Sequence, residues 1–340
     1  MTNRYRNIFL FIGVAAIAVM LFSFDMSWAE VGAHVRRAGY WFPAVIVLWL
    51  FIYIINARAW QIIVNEGNRK PRIGFLRIFK YTVSGYALNS VTPVGLLGGE
   101  PYRIMELSPL VGRAKATSSV ILYAMMHIFS HFCFWIFSLG VFLVRYAHAL
   151  SLPMLIVLGA ILLFCLVGVK FFVMGYRYGL VQKTVSVFSR LPLVGARIQR
   201  VAESHAEGLQ TVDEQISALH TQRPLVFFRS LFLEFFARLV GCFELQFILF
   251  IFNPSISYWD CLLMQAFVSL FANLFFFIPM QMGSKEGGLA IFTSVLHMNG
   301  SYGVLTGLIT RLRELIWIAI GLLLIRFGNK KQVKSNIFNF

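Results

Sequence analysis

The sequence predicts an all-α polytopic membrane protein. It has about six transmembrane helices plus two re-entrant helical hairpins, in two inverted-topology halves. Three observations carry this. Several apolar runs exceed the ~18 residues that mark a membrane span. The 340 residues are 59% hydrophobic and 13% charged, with a mean hydropathy of +0.74, where a soluble domain is about a quarter charged. Two of the apolar stretches are interrupted at matching places by proline, glycine and charge. No segment is long and polar enough for a separate soluble domain, so 1–340 reads as one integral membrane domain.

The elements follow in order. Full spans are expected at 8–24, 41–57, 118–144, 153–175, 224–252 and 302–325. The first follows Arg4 and Arg6 and ends near "MSWAE", as a signal peptide would, but the run is long and it reads as a span. The interrupted segments lie at 78–99 and 259–288. The first inverted half is then 1–150. The fourth span and a cytoplasmic amphipathic connector occupy 151–223, and 224–340 holds the rest of the second half. The connector has helical apolar spacing, with basic residues early and acidic ones late, which suits the inner membrane surface.

Charge sets the orientation. Placing both ends in the cytoplasm, with both interrupted segments re-entering, puts 22 Lys and Arg inside and four outside: Arg36, Arg37, Arg145 and Lys285. That asymmetry obeys the positive-inside rule and predicts an inner (plasma) membrane protein with cytoplasmic termini. It also absorbs the net charge of +16, so nucleic acid is not an expected partner. The four cysteines, Cys133, Cys165, Cys242 and Cys261, lie in apolar runs and read as small buried hydrophobes.

The interruptions match. One reads "PVGLLGGE", Pro93 to Glu100; the other reads "PMQMGSKE", Pro279 to Glu286. Each is preceded by an asparagine in an apolar run, Asn89 or Asn273. Proline removes a backbone donor and breaks the helix, and glycine permits the turn. Unwound backbone at membrane depth must be buried in protein or line a wet cavity. Inverted repeats with broken helices at the midplane are a transporter signature. A helix starting near Pro101 aims free N–H groups at that cavity, which suits an anion. The bland alternative is an interfacial loop with Glu100 solvated.

Charges inside spans are costly, about 2.5–3.5 kcal/mol each on insertion scales. Here they cluster. One span carries Arg229, Glu234, Arg238 and Glu244; the last carries Arg311, Arg313 and Glu314. Glu234 and Arg311 lie about 12–15 Å from their span ends at ~1.5 Å per residue, near the midplane. Two readings stay open. Glu234–Arg238 and Arg311–Glu314 are structural ion pairs, or the arginines bind an anionic headgroup through their forked donors. Both hold together if the carboxylates keep the empty site neutral. His127 and His131 share one face of a span; no third ligand accompanies them, so packing and hydrogen bonding are favoured over metal, with proton relay as a further role. No metal and no cofactor is expected, and no phosphate-binding GxxxxGK[ST] loop is present.

"GGEPYR" (Gly98–Arg103), "PMQMGSKE" and the charged last span resemble the lysylphosphatidylglycerol synthase transmembrane family, also called the flippase-like domain family. The resemblance runs over nearly the whole chain. It implies a flippase-like unit without the aminoacyl-transferase domain, moving lipid between leaflets rather than making it. It carries over Gly98, Gly99, Glu100 and Arg103 as a first motif, and Pro279, Gly283 and Glu286 as a second. Met280 and Met282 stand where smaller or proline-like residues are expected, which bears on specificity rather than fold.

The sequence therefore reads as a translocator of a phosphate-bearing lipid, with aminoacylated and polyprenyl-linked lipids in range. Arg238, Arg311 and Arg313 hold the phosphate; Glu100 and Glu286 meet a cationic headgroup or a coupling proton. The expected partners are a membrane phospholipid or lipid-linked substrate, and a separate lipid synthase. The alternatives are a membrane-embedded lipid transferase, with Glu100 or Glu286 as base, and a non-catalytic partner of a synthase. Against the transferase stand the missing clustered carboxylates and nucleophile motif.

Overall fold

The computed structural model describes residues 36–67, 72–91, 98–178, 224–274, 284–295 and 298–326, with Gly32 and Glu214. Among these there are nine α-helices and no strand. They are α1 (Trp41–Asn65), α2 (Phe75–Val91), α3 (Gly99–Val111), α4 (Arg113–Tyr146), α5 (Leu152–Tyr178), α6 (Pro224–Leu249), α7 (Tyr258–Leu274), α8 (Ser284–Val295) and α9 (Gly300–Arg326). A short 3₁₀ turn at Ala147–Ala149 joins α4 to α5. The all-α polytopic reading holds. Among the described residues α1, α4 and Leu152–Met174 of α5 are long and apolar enough to cross a membrane. The expected span at 8–24 and most of the connector lie outside the described residues.

Each interrupted segment is a pair of short helices. α2 and α3 have 17 and 13 residues; α7 and α8 have 17 and 12. At about 1.5 Å per residue each piece is shorter than the ~30 Å hydrocarbon core. The two helices of each pair pack on one another. Around them, α1 packs along α6, α2 along α9, and α4 against α7 and α6.

Sequence explains how the pieces fit. α3 ends at Gly112, whose φ of +83° suits glycine, and α4 starts at the next residue. The link from α1 to α2 is held by Asn65, which accepts from the Ile73 amide at 2.8 Å and donates to its carbonyl at 3.1 Å. A side chain on Gly99 would overlap the Gly85 backbone, and one on Gly85 would overlap the Arg103 guanidinium. So α2 and α3 meet backbone to backbone, as small-residue contacts allow in membranes. Gly303 and Gly307 do the same for α9 against α8, at Ala290 and Glu286. α5 lies outside, its apolar side chains Ile156, Leu163 and Val167 exposed as a lipid-facing helix requires. The cysteines are all free, three of them buried and Cys133 half-buried.

Replacing Gly99 by Ala drives a methyl into the Gly85 carbonyl. The expected loss is about 1–3 kcal/mol, as for overpacking generally. Gly140 has open space around its Cα, so Gly140→Ala is the control. Thermal unfolding of the purified variants in detergent should show a lowered midpoint for Gly99→Ala alone.

Candidate functional site

The charged residues converge on one cavity of about 440 Å³ between the helix pairs. It is bounded by α1, α2, α3, α4, α6, α7, α8 and α9. Asn89, Glu100, Arg103, Glu234, Arg238, Asn273, Arg311, Arg313 and Glu314 all line it. Gly98 and Gly99 are buried behind it, and Glu286 reaches it through Arg311. Pro93, Pro279 and Gly283 lie outside the described residues.

The α2–α3 side is built on Asn89. Its carbonyl oxygen accepts from the Gly99 amide at 2.6 Å, and its amide donates to Glu100 at 3.1 Å. The helix start expected near Pro101 is present: α3 starts at Gly99. Asn89 already takes its first amide. Arg103 donates to Glu100 at 3.1 Å. Its guanidinium lies over Tyr86 at 4.9 Å, Tyr123 at 5.5 Å and Trp60 at 5.8 Å, an aromatic box for a delocalised cation.

The α8–α9 side is a run of ion pairs. Arg311 donates to Glu286 at 2.8 Å and to Glu314 at 3.1 Å. Lys285 reaches Glu314 at 3.1 Å. Arg313 grips Glu244 of α6 with two donors, at 2.9 and 3.2 Å, and stacks 3.8 Å from the Trp49 ring. The expected Arg311–Glu314 pair is present, widened by Glu286 and Lys285. Lys285, counted from sequence among the exterior charges, lines the cavity. Asn273 differs from Asn89: its amide donates to the Ser269 carbonyl one turn back, at 2.7 Å.

Between these sides sits a third group. The expected Glu234–Arg238 ion pair does not form. Glu234 instead bonds His127 Nδ1 at 2.7 Å, and its other oxygen is buried with no protein partner. Arg238 gives its Nε donor to Ser130 Oγ, at 2.7 Å, and one Nη2 donor to the His127 carbonyl. The Tyr86 hydroxyl lies 3.2 Å from His127 Nδ1. His131 stacks edge-on to His127 at 5.7 Å, and its Nδ1 is also buried without a protein partner. Among the described residues no three His, Cys, Asp or Glu gather as a metal site.

Glu244, Lys285, Tyr53, Asn56 and Tyr86 also line the cavity and were not singled out as site residues from sequence. Glu244 carried a signal, as a carboxylate inside a span. The tyrosines carried none, since aromatic residues are common in every apolar run here.

Removing one partner of a buried ion pair strands the other charge, at about 3–5 kcal/mol. Glu244→Leu should therefore destabilise strongly. Adding Arg313→Leu should recover most of the loss. Thermal midpoints of the two singles and the double in detergent measure the coupling.

Comparison with known proteins adds one relationship. No curated protein and no solved structure matches the chain. One family model does, over residues 10–321, and it covers both helix pairs and every charged residue of the cavity. By that match the chain belongs to the family of the lysylphosphatidylglycerol synthase TM region.

Proposed function

We propose that this protein moves a phosphate-bearing lipid headgroup between the leaflets of the cell's inner membrane, through the cavity between the two helix pairs. The observation that carries this is the cavity itself. It is lined by charge yet lies within an apolar helical bundle. Charges at membrane depth mark substrate and ion paths. The family ties the chain to membrane lipid. Acyl tails stay in lipid while the headgroup crosses. The phosphate is held by Arg238, with Arg311 and Arg313 able to exchange a carboxylate for it. Aminoacylated and polyprenyl-linked lipids carry the same phosphate, and a separate synthase would supply such a lipid.

The helix packing supports two inverted halves. Pair α1 with α6, α2 with α7, α3 with α8 and α4 with α9. Each packing contact among these eight helices then has a counterpart. α2–α9 answers α7–α4, α3–α4 answers α8–α9, α1–α2 answers α6–α7, and α1–α6 answers itself. Counting the expected span at 8–24, which lies outside the described residues, each half has three spans, an odd number, and the second half runs opposite to the first. The α2–α3 and α7–α8 pairs are then re-entrant hairpins meeting at the midplane. Both termini are cytoplasmic by the positive-inside rule.

Reconstituted vesicles test this. A fluorescent anionic phospholipid should become accessible to a membrane-impermeant quencher at a protein-dependent rate, with its mass unchanged. Glu100→Gln should abolish the movement, and Arg311→Lys, which keeps a cation beside Glu286 and Glu314 but loses the forked donors, should slow it sharply, while both variants still elute as folded protein. Normal rates in both would remove these residues from the path.

A further inference from the structure

The cavity holds two kinds of charge. The α8–α9 side is locked in ion pairs between permanent cations and carboxylates: Arg311 with Glu286 and Glu314, and Arg313 with Glu244. The His127–Glu234 group is different. It alone combines a carboxylate with imidazoles, and it has spare hydrogen-bonding capacity. Glu234 is 1% exposed, yet one of its oxygens lacks a protein partner, as does Nδ1 of His131. A buried polar atom left without a partner is costly, so it marks a place where a proton or water is taken up.

The charge count sharpens the contrast. Five cations reach the cavity: Arg103, Arg238, Lys285, Arg311 and Arg313. Five carboxylates balance them: Glu100, Glu234, Glu244 and Glu314 on its wall, and Glu286 on Arg311. With both histidines neutral, the cavity carries no net charge. A headgroup with one negative charge would then add an uncompensated anion at membrane depth. That is the costly species in this setting.

We infer that His127 and Glu234 form a proton site, and that one proton crosses with each monoanionic headgroup. This rests on the translocator reading above. The ionised carboxylate only accepts, so at 2.7 Å it holds the ring proton on Nδ1. Nε2 is then the ring's site for one more proton. Uptake from water in the cavity turns neutral imidazole into imidazolium. The His127–Glu234–Arg238 group gains one positive charge, and the loaded cavity is neutral again. Release of that proton on the other side returns the empty cavity to neutrality.

Other ionisable groups face the pair. On α4 they are Tyr123 and His131; from α6, Arg238 and Glu244; from α3, Glu100 and Arg103; across the cavity, Lys285 of α8 and Arg311, Arg313 and Glu314 of α9. Tyr86 of α2 and Tyr53 of α1 complete the set, and α7 brings Gln265 and Ser269, which do not ionise. Arg103 is already matched by Glu100. Arg238 is the cation that no carboxylate reaches within ion-pair distance among the described residues. It is therefore the one ready for phosphate.

The experiment reads an equilibrium. The protein is reconstituted in phosphatidylcholine vesicles with trace fluorescent phosphatidylglycerol or, separately, fluorescent phosphatidylcholine. A pH difference of one unit is held across the membrane. One-to-one coupling accumulates the phosphatidylglycerol probe in the leaflet facing the alkaline side, about tenfold per pH unit. The zwitterionic probe stays even. An ionophore that collapses the gradient should abolish the accumulation. His127→Gln should lose it too, and Glu234→Gln carries the same expectation should His127→Gln fail to fold. An even phosphatidylglycerol probe in the wild type, despite rapid movement, overturns the coupling and leaves the translocator standing. Accumulation retained in His127→Gln and Glu234→Gln overturns the assignment to this pair. If neither probe moves, the translocator reading falls and the coupling with it.

Discussion

The structure depends on one constraint: a charge inside an apolar bundle must find either its opposite or a set of hydrogen-bonding partners. Arg311 and Arg313 sit well inside α9, and Glu234 and Glu244 well inside α6. None of them reaches water by snorkelling from a helix end. The protein meets the constraint by bringing helices from distant parts of the chain onto one cavity. Glu244 holds Arg313 across 69 residues, and Glu234 holds His127 across 107. These contacts set which helices must be neighbours. Exchanging either helix for a plain apolar span would strand its partner. The apolar core fills the space around them, through clusters such as Trp60, Leu88, Tyr123 and Met126.

Close approach is the second requirement. Charged side chains meet across a cavity only when the backbones behind them touch. Gly85 and Gly99 allow that for the first helix pair, and Gly303 and Gly307 let α9 lie on α8. The "GG" of the first interruption thus has a packing role as well as a turning one. Gly98 precedes the helix, while Gly99 is where α3 presses on α2. Asn89 completes the joint by capping Gly99 and orienting Glu100 in a single side chain.

The helices were legible in the sequence because hydropathy and length decide them almost alone in a membrane. Expected spans at 41–57 and 302–325 extend to 41–65 and 300–326, the first past Arg58, Gln61 and Asn65, which a hydropathy reading trims. The interruptions and the cluster of intramembrane charge were legible for the same reason: each is expensive, so each stands out. The pairing was not. Spacing of three or four residues along a helix suggests local partners, and Arg311–Glu314 obeys it. Glu234 and Arg238 do not, because His127 and Ser130 come from α4 with better geometry. Lys285 entered the sequence reading only as a topology charge; its partner Glu314 comes from α9, so no local spacing revealed the pair.

The adjacent charges Lys285 and Glu286 have a mechanical consequence. Both sit in the first turn of α8, and both bind groups on α9, Glu314 and Arg311 respectively. α8 is thus a neutral zwitterion facing a helix of mixed charge. Arg311 keeps Glu314 if Glu286 departs. A displacement of α8 along the smooth glycine face of α9 therefore separates hydrogen bonds but no net charge. Such a rigid translation is electrically silent: it carries no net charge through the membrane voltage.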